Sequence, residues 1–286
     1  MSDGSGSDTA SQRSTANHMS GKTIVVTGAA GGFGHILASR AVELGAAVGA
    51  CDIDGAGMAD LDPDHTEVGI VDVTDLHAMR AFTERVLARF GSIDVIINNA
   101  GVMPLAFFAD HQIASEAWSR CIDINIKGVL HGIAAVYDQM IHQGRGHVVN
   151  ISSVFSNQPM AGAGVYGATK AAVNVMSDSL RQESLGAIKV TNVRPTGVPG
   201  TGLGGGIINP EAINPVLGAN KDQFYEKLTH AMTGEGPPEL TDPEHIAYAA
   251  LSPELLAEQV IGAINQPWGV TISDITVRAS NDDYTI

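Results

Sequence analysis

Tyr166 and Lys170 stand four positions apart in the run Tyr166-Gly167-Ala168-Thr169-Lys170, among small, helix-compatible residues. Residues at i and i+4 share one helix face, so this spacing sets an ammonium beside a phenol. A free phenol titrates at about 10, too high for a base at neutral pH, and an adjacent positive charge lowers that value by favouring phenolate. The pair has the chemistry of a tunable proton donor and acceptor.

A second group of residues suits a phosphate. Thr27-Gly28-Ala29-Ala30-Gly31-Gly32-Phe33-Gly34 follows the short apolar run at 23–27 and opens a helical stretch. Glycines at a strand-to-helix turn let the backbone approach a pyrophosphate, and the helix start offers free amide hydrogens and a positive dipole end. Gly28, Gly32 and Gly34 are spaced G-x-x-x-G-x-G, not G-x-G-x-x-G. Eighteen residues after Gly34 comes Asp52, followed by Ile53 and Asp54. A carboxylate about 20 residues past such a turn accepts both ribose hydroxyls of NAD and repels the 2′-phosphate of NADP. Asp52 is the better placed, with Asp54 the alternative if the strand runs two residues longer. Positions 31 and 53, where a cation could meet that phosphate, hold Gly and Ile. NAD is the expected cofactor.

Positioning these groups requires a sheet with helices beside it. Short, mostly apolar runs at 23–27, 47–51, 67–71, 93–98, 147–152 and 189–194 fit strands buried on both faces. Helical stretches lie between them at about 32–45, 75–90, 115–143 and 160–186. Strict alternation predicts an α/β single-domain Rossmann fold: a doubly wound, mostly parallel sheet of about seven strands with helices on both faces. A last helix at 252–265 and strand at 269–277 complete it, with the strand at the sheet edge. Residues 197–240, rich in Gly and Pro, are long for a connection and predict a lid over the substrate. Residues 1–20 predict a disordered leader or tag, leaving one catalytic domain at 21–286.

Composition excludes other classes. The 16 Lys and Arg face 31 Asp and Glu, a net charge of -15, which argues against affinity for nucleic acid or anionic membranes. No apolar run is long enough to span a bilayer and no signal-peptide core opens the chain, so a cytoplasmic location is expected. The two cysteines, Cys51 and Cys121, and the ten histidines show no disulfide or metal-ligand spacing. No metal is expected. Trp118 and Trp268 are expected to pack, and Met103 and Met160 to lie where they could touch substrate.

The motifs in order, TGAAGGFG, Asp72-Val73, Asn98-Asn99-Ala100-Gly101, Asn125, Ile151-Ser152-Ser153 and YGATK, resemble the short-chain dehydrogenase/reductase family over 21–277. The resemblance implies that Asp72 and Val73 hold the adenine and that Asn98, Ala100 and Gly101 line the adenosine side. It implies catalytic roles for Asn125, Ser153, Tyr166 and Lys170. Ser153 precedes Tyr166 by thirteen residues, the family's usual interval. Tyr166 would exchange the proton of a secondary alcohol while hydride passes between its carbon and nicotinamide. Ser153 would hold the substrate oxygen, Lys170 the nicotinamide ribose, and Asn125 a local helix bend and a water relay. The positive charge of oxidised nicotinamide would add to that of Lys170.

After the sixth strand the family usually shows Pro-Gly and then Thr five residues past the Pro. Here Thr196 follows Pro195 and the nearest Thr, Thr201, is one position late, while Pro195 and Val198 are implied to meet the nicotinamide. The resemblance also implies a homotetramer or homodimer, with the helices at 115–143 and 160–186 in one interface. The expected pocket is walled by 154–163, the loop after Gly101 and 197–232. Leu203, Ile207, Ile208, Ile213, Val216 and Leu217 point to an apolar alicyclic, terpenoid or steroid-like alcohol or ketone. Two alternatives stay open: a dinucleotide-sensing regulator on the same fold, and an NADP-dependent ketoreductase.

Overall fold

The computed structural model describes residues 17–233 and 235–286. Its elements run β1 (Thr23–Thr27), α1 (Gly32–Glu43), β2 (Ala47–Asp52), β3 (Thr66–Ile70), α2 (Leu76–Phe90), β4 (Val95–Asn98), α3 (His111–Ile122), α4 (Gly128–Gln143), β5 (Gly146–Ile151), α5 (Gly164–Glu183), β6 (Ile188–Pro195), α6 (Asn214–Leu217), α7 (Lys221–Thr233), α8 (Pro253–Ile264) and β7 (Asp274–Val277). The seven strands form one parallel sheet in the order β3-β2-β1-β4-β5-β6-β7. The chain reverses its direction of travel across the sheet at β1, which pairs with β2 on one side and β4 on the other. Crossovers part there, opening a crevice at the carboxyl ends of the strands.

Alternate strand residues face opposite layers, and the sheet is buried on both. Ile24, Val26, Val48 and Ala50 pack with Leu37, Ala38 and Ala41 of α1 and Leu256 and Val260 of α8. The intervening Val25 and Cys51 turn the other way, to Met79, Phe82 and Val86 of α2 and Val136 and Met140 of α4. A third cluster lies beyond the sheet's carboxyl edge, where Leu105, Phe155 and Tyr166 meet Val216 and Leu217 of α6.

Local chemistry sets the helix ends. Asp75 accepts hydrogen bonds from the amides of His77 and Ala78 at the start of α2, and Gly91 ends that helix at a φ of 81°. Ser252 caps α8 through the Leu255 amide, with Pro253 in its first turn. Among the described residues no helix is long and apolar enough to cross a membrane.

The sequence-based bounds shift in several places. The stretch expected as one helix at 115–143 begins at His111 and is broken at Asp123–Lys127 by a π-helical turn, so α3 and α4 are two segments. The last strand is only Asp274–Val277, not 269–277, and pairs in parallel with β6 at the edge. Residues 197–240 hold α6, α7 and short 3-10 turns at Leu203–Gly206, Pro210–Ile213 and Pro238–Leu240. Of the expected leader, residues 1–16 lie outside the described residues, but 17–20 belong to the fold. Met19 is fully buried, and the Asn17 side chain donates to Leu44 O at 2.9 Å.

Phe82 is fully buried over two glycines of the sheet: a Cβ on Gly69 would lie 2.4 Å from its ring, and one on Gly49 3.4 Å away. Gly69 has ceded its side-chain volume to that ring, while the space at Gly49 is shared between the ring and Val86, whose Cγ2 would lie 2.6 Å from a Cβ there. Phe82→Ala is therefore expected to lower the unfolding free energy by about 3–5 kcal/mol, measured by urea denaturation.

Candidate active site

The glycine turn sits where β1 enters α1. Gly28 has a φ of 68° and Gly32 of 50°, conformations that cost any other residue strain. A Cβ on Gly34 would lie 2.0 Å from Gly28 O, so the helix can approach the turn only without one. Unlike α2 and α8, α1 has no side chain capping its first-turn amides. Gly32, Phe33 and Gly34 line an open cleft. Uncapped amides at a positive helix end in a groove suit a pyrophosphate, so the turn fits a dinucleotide.

Asp52 ends β2 beside this turn. Its Oδ2 accepts from the Ala30 amide at 3.1 Å and its Oδ1 from the Asp54 amide at 3.1 Å. Asp52 and Ile53 line the cleft, whereas Asp54 is turned to the Ala56 amide and does not. Of the two carboxylates, Asp52 is the one that faces the cleft. Asp72 and Val73 line the same end, and Asp72 Oδ1 holds both the amide and the hydroxyl of Thr74.

Asn98 departs from expectation. Its side chain is buried under the sheet, with Nδ2 donating to Asn150 Oδ1 at 2.8 Å, and it does not line the cleft. Strand alternation gives the groove to its neighbour, Asn99, with Ala100 and Gly101. Asn99 Nδ2 donates to Thr27 O at 3.0 Å and Gly28 O at 3.1 Å, tying the β4 turn to the glycine turn. The doubled asparagine was visible in the sequence; which of the two faces the groove was not.

The candidate proton-handling groups gather at the carboxyl edge of β5 and the start of α5. Ser153, Tyr166 and Lys170 all line the cleft. Lys170 Nζ lies 5.8 Å from the Tyr166 ring centroid and donates to Ile151 O at 2.7 Å. Ser152, by contrast, donates its hydroxyl to the structure, at 2.8 Å from Asn174 Oδ1 and 3.2 Å from Lys170 O. Asn125 occupies the π-helical turn. Its Oδ1 accepts from Val102 N at 2.9 Å, and its Nδ2 donates to Val102 O at 3.0 Å and Thr169 Oγ1 at 3.1 Å. A Cβ on Gly101 would come within 3.3 Å of Asn125 Oδ1 and 3.6 Å of Lys170 Nζ, so both polar groups border the same small space.

The i, i+4 spacing predicts a lowered phenol, and the structure reverses the sign. Burial pushes the Tyr166 phenol above its ordinary value, and the charges of Cys121 and Tyr284 add to the rise. Only the Ser153 hydroxyl draws it down. Burial also pulls the Lys170 ammonium down, to about 8. Spacing reports which groups are neighbours, whereas desolvation depends on how much protein covers them, and here it outweighs the pairing.

The cleft holds about 1770 Å³ and runs from Asp52 past the glycine turn to Tyr166 and the segment around α6 and α7. That exceeds a typical single-ligand pocket of about 300–1,000 Å³, leaving room for a dinucleotide and a second molecule. Pro195 and Val198 line it, as expected. Thr196 lies there too, with its hydroxyl buried and unpartnered, and Thr201 packs its backbone over Gly32, where a Cβ would meet Thr201 O at 2.5 Å.

The walls differ in part from expectation. Leu203, Ile207 and Ile213 line the cleft, Ile208 does not, and Val216 and Leu217 are buried in the third cluster. Of residues 154–163 only Phe155 reaches it; Met103 does, while Met160 borders a separate small pocket beside Trp118. Trp118 packs edge-on to Phe108, and Trp268 lies under the Lys22 ammonium. Phe224 and Lys227 of α7 reach the cleft from within the expected wall at 197–232, whereas sequence reasoning missed the segment after β7, which brings Asp282, Asp283 and Tyr284 there. No spacing rule links residues this far apart.

The chain matches the short chain dehydrogenase family over residues 22–210 and belongs to it. It is an oxidoreductase of that family. An uncharacterised oxidoreductase of Staphylococcus saprophyticus is 32% identical over 269 residues, 93% of this chain and 98% of the relative. The NADP-dependent 3-hydroxy acid dehydrogenase YdfG of Salmonella typhi is 37% identical over 182 residues, 62% of this chain and 73% of that one. Among solved structures, the closed form of serine dehydrogenase complexed with NADP+ superposes with a TM-score of 0.73 at 27% identity, covering 92% of this chain and 97% of that one.

A lysine whose folded value lies below its unfolded one binds fewer protons in the native state between the two, so stability rises with pH there. For Lys170 that window runs from about 8 up to 10.5. The cost of burying its charge is fully present below about pH 8 and is relieved as pH rises. Native protein is expected to gain stability relative to Lys170→Met by roughly 1 kcal/mol per pH unit between pH 8 and 10. Paired urea titrations of the two proteins measure the difference, in which the other lysines cancel.

Proposed function

We propose that this chain is an NAD-dependent dehydrogenase/reductase that interconverts a secondary alcohol and its ketone. The observation that carries this reading is the convergence of Ser153, Tyr166 and Lys170 in one cleft with the uncapped glycine turn and Asp52. A nicotinamide dinucleotide, when bound, supplies or accepts the hydride. Gly32, Phe33 and Gly34 would hold its pyrophosphate at the start of α1, Asp52 its adenosine ribose, and Asp72 and Val73 its adenine end. Pro195 and Val198 would border the nicotinamide, and Lys170 its ribose.

The protein handles the proton. Ser153 would fix the substrate oxygen by a hydrogen bond, and Tyr166 Oη would pass a proton to that oxygen during ketone reduction or take it during alcohol oxidation. Burial keeps the phenol protonated at neutral pH in the free protein, which readies it as a donor. Alcohol oxidation needs the opposite state, which a positive charge beside the phenol favours. Asn125 would tie the Val102 backbone, by two hydrogen bonds, to α5 beside Lys170, by a third to Thr169 Oγ1.

The substrate half of the cleft is lined by Met103, Phe155, Leu203, Ile207, Ile213 and Phe224, which supports an alicyclic, terpenoid or steroid-like substrate. The exposed Leu130 and Ile141 of α4 and Val175 of α5 support assembly through these helices into a homodimer or homotetramer. An NADP-dependent reductase is the second reading, favoured by the names of YdfG and of the serine dehydrogenase complex. Against it, no Lys or Arg lines the cleft from the glycine turn or from the ends of β2 and β3, where a 2′-phosphate would need one. A dinucleotide sensor would have no use for the Asn125, Ser153, Tyr166 and Lys170 set.

Two measurements test this. Tyr166→Phe should lose turnover of alicyclic and terpenoid ketones by at least about 100-fold while keeping its affinity for NADH, read by fluorescence titration. Tight NADH binding by the native protein with no turnover on any ketone would favour the sensor. Native protein should bind NADH more tightly than NADPH, and Asp52→Ala should shrink that preference by about tenfold or more, because the carboxylate's repulsion and its ribose contacts vanish together. A native preference for NADPH would establish the second reading.

A further inference from the structure

The segment after β7 folds back over the substrate half of the cleft and is anchored there on all sides. Lys227 of α7 and Asp283 form an ion pair at 2.8 Å with side chains only 10% and 5% exposed, and Lys227 Nζ also donates to Asn281 O at 2.8 Å. Arg278 donates to Asp282 Oδ1 and Tyr284 O, each at 2.7 Å, and the Thr285 amide donates to Val216 O at 2.9 Å. Between these anchors the Tyr284 ring meets Phe155 edge-on at 6.2 Å and Phe224 at 6.4 Å. Phe155 in turn meets Tyr166 edge-on at 5.6 Å, so one phenyl ring separates two phenols.

The Tyr284 hydroxyl is the unexplained part. A Cβ on Gly197 would stand 2.5 Å from Tyr284 Oη, so the chain has left that position empty of a side chain where the hydroxyl points. Among the described residues the backbone of Tyr284 is hydrogen-bonded, but the bonds found there include none from its hydroxyl. Phe would pack equally well between Phe155 and Phe224. Once an apolar substrate expels water, an unpaired hydroxyl costs free energy unless the substrate brings an acceptor.

Resting on the dehydrogenase reading, we propose that Tyr284 is a specificity-determining residue: its hydroxyl donates a hydrogen bond to an acceptor oxygen that the substrate carries away from its reacting carbon. The preferred substrate is then an apolar ring system bearing a second oxygen, not a plain hydrocarbon ketone. Burial and the nearby Asp282 push the Tyr284 phenol up to about 12, so it stays a neutral donor throughout the physiological range.

The test compares kcat/KM with NADH for two bicyclic ketones of equal size, one with an ether oxygen in the far ring and one with a methylene there. Native protein should prefer the ether by about tenfold, the net worth of one such hydrogen bond. Tyr284→Phe, which keeps the ring and its packing, should abolish the preference. Gly197→Ala should shrink it independently, because the new methyl displaces the hydroxyl. A merely structural tyrosine would change both ketones alike and leave their ratio intact. No preference in the native protein, or a preference that survives in Tyr284→Phe, overturns the subsite while leaving the dehydrogenase reading standing. Turnover of neither ketone nor any other alcohol or ketone by the native protein overturns both.

Discussion

The cleft depends on a small hydrogen-bonded knot where the sheet changes direction. Thr27 Oγ1 accepts from the amides of Asn99 at 3.0 Å and Ala100 at 3.1 Å, and the Asn99 side chain returns two bonds to the carbonyls of Thr27 and Gly28. Crossovers leave β1 and β4 toward opposite faces, so without this knot two carboxyl-end turns would face each other with unpaired backbone groups. With it, the glycine turn is held open toward the groove instead of collapsing onto its neighbour. Asp52 braces the turn from the other side through the Ala30 amide, so the carboxylate proposed to meet the ribose also supports the turn proposed to seat the pyrophosphate.

The half of the cleft proposed to handle the proton is deeply buried. Tyr166 and Lys170 are nearly inaccessible to water, and burial pushes each toward its neutral form. Such a pair is costly in the free protein, and the hydrogen bond from Lys170 Nζ to Ile151 O limits the cost of the buried ammonium. The π-helical turn at Asp123–Lys127 is part of the same arrangement. It interrupts the α-helical ladder and sets Asn125 against the Val102 backbone, as such turns do at functional sites.

The segment expected as a lid shares a hydrophobic cluster with the candidate catalytic residue Tyr166. α6, α7 and the segment after β7 pack on Phe155 and Tyr166 through aromatic and aliphatic contacts, and the Lys227–Asp283 pair joins two of them across the cleft. Removing one member of a nearly buried ion pair leaves the other unpaired, so that pair holds the wall more by the penalty for separation than by attraction. The candidate reacting phenol and the proposed substrate wall are thus one packed unit, which ties pocket shape to the position of Tyr166.

Much of this was legible in the sequence because it is local. Periodicity revealed the alternating strands and helices, hence a parallel sheet; the glycine turn, Asp52, Tyr166 and Lys170 followed from spacing within single turns or strand ends and Ser153 from the family's interval to the tyrosine, and each lines the cleft. What depends on long-range contact was not legible. The side to which Asn98 and Asn99 point, the direction of the Tyr166 shift, the burial of Val216 and Leu217, the docking of residues 17–20 and the arrival of Tyr284 at the cleft all depend on what packs against each residue from far along the chain. By itself the sequence determined which chemical groups the protein owns and how neighbours along the chain are spaced, because backbone geometry propagates over a few residues. Only the tertiary structure decided how dry those groups are and what faces them, because desolvation and contact are properties of the packed whole.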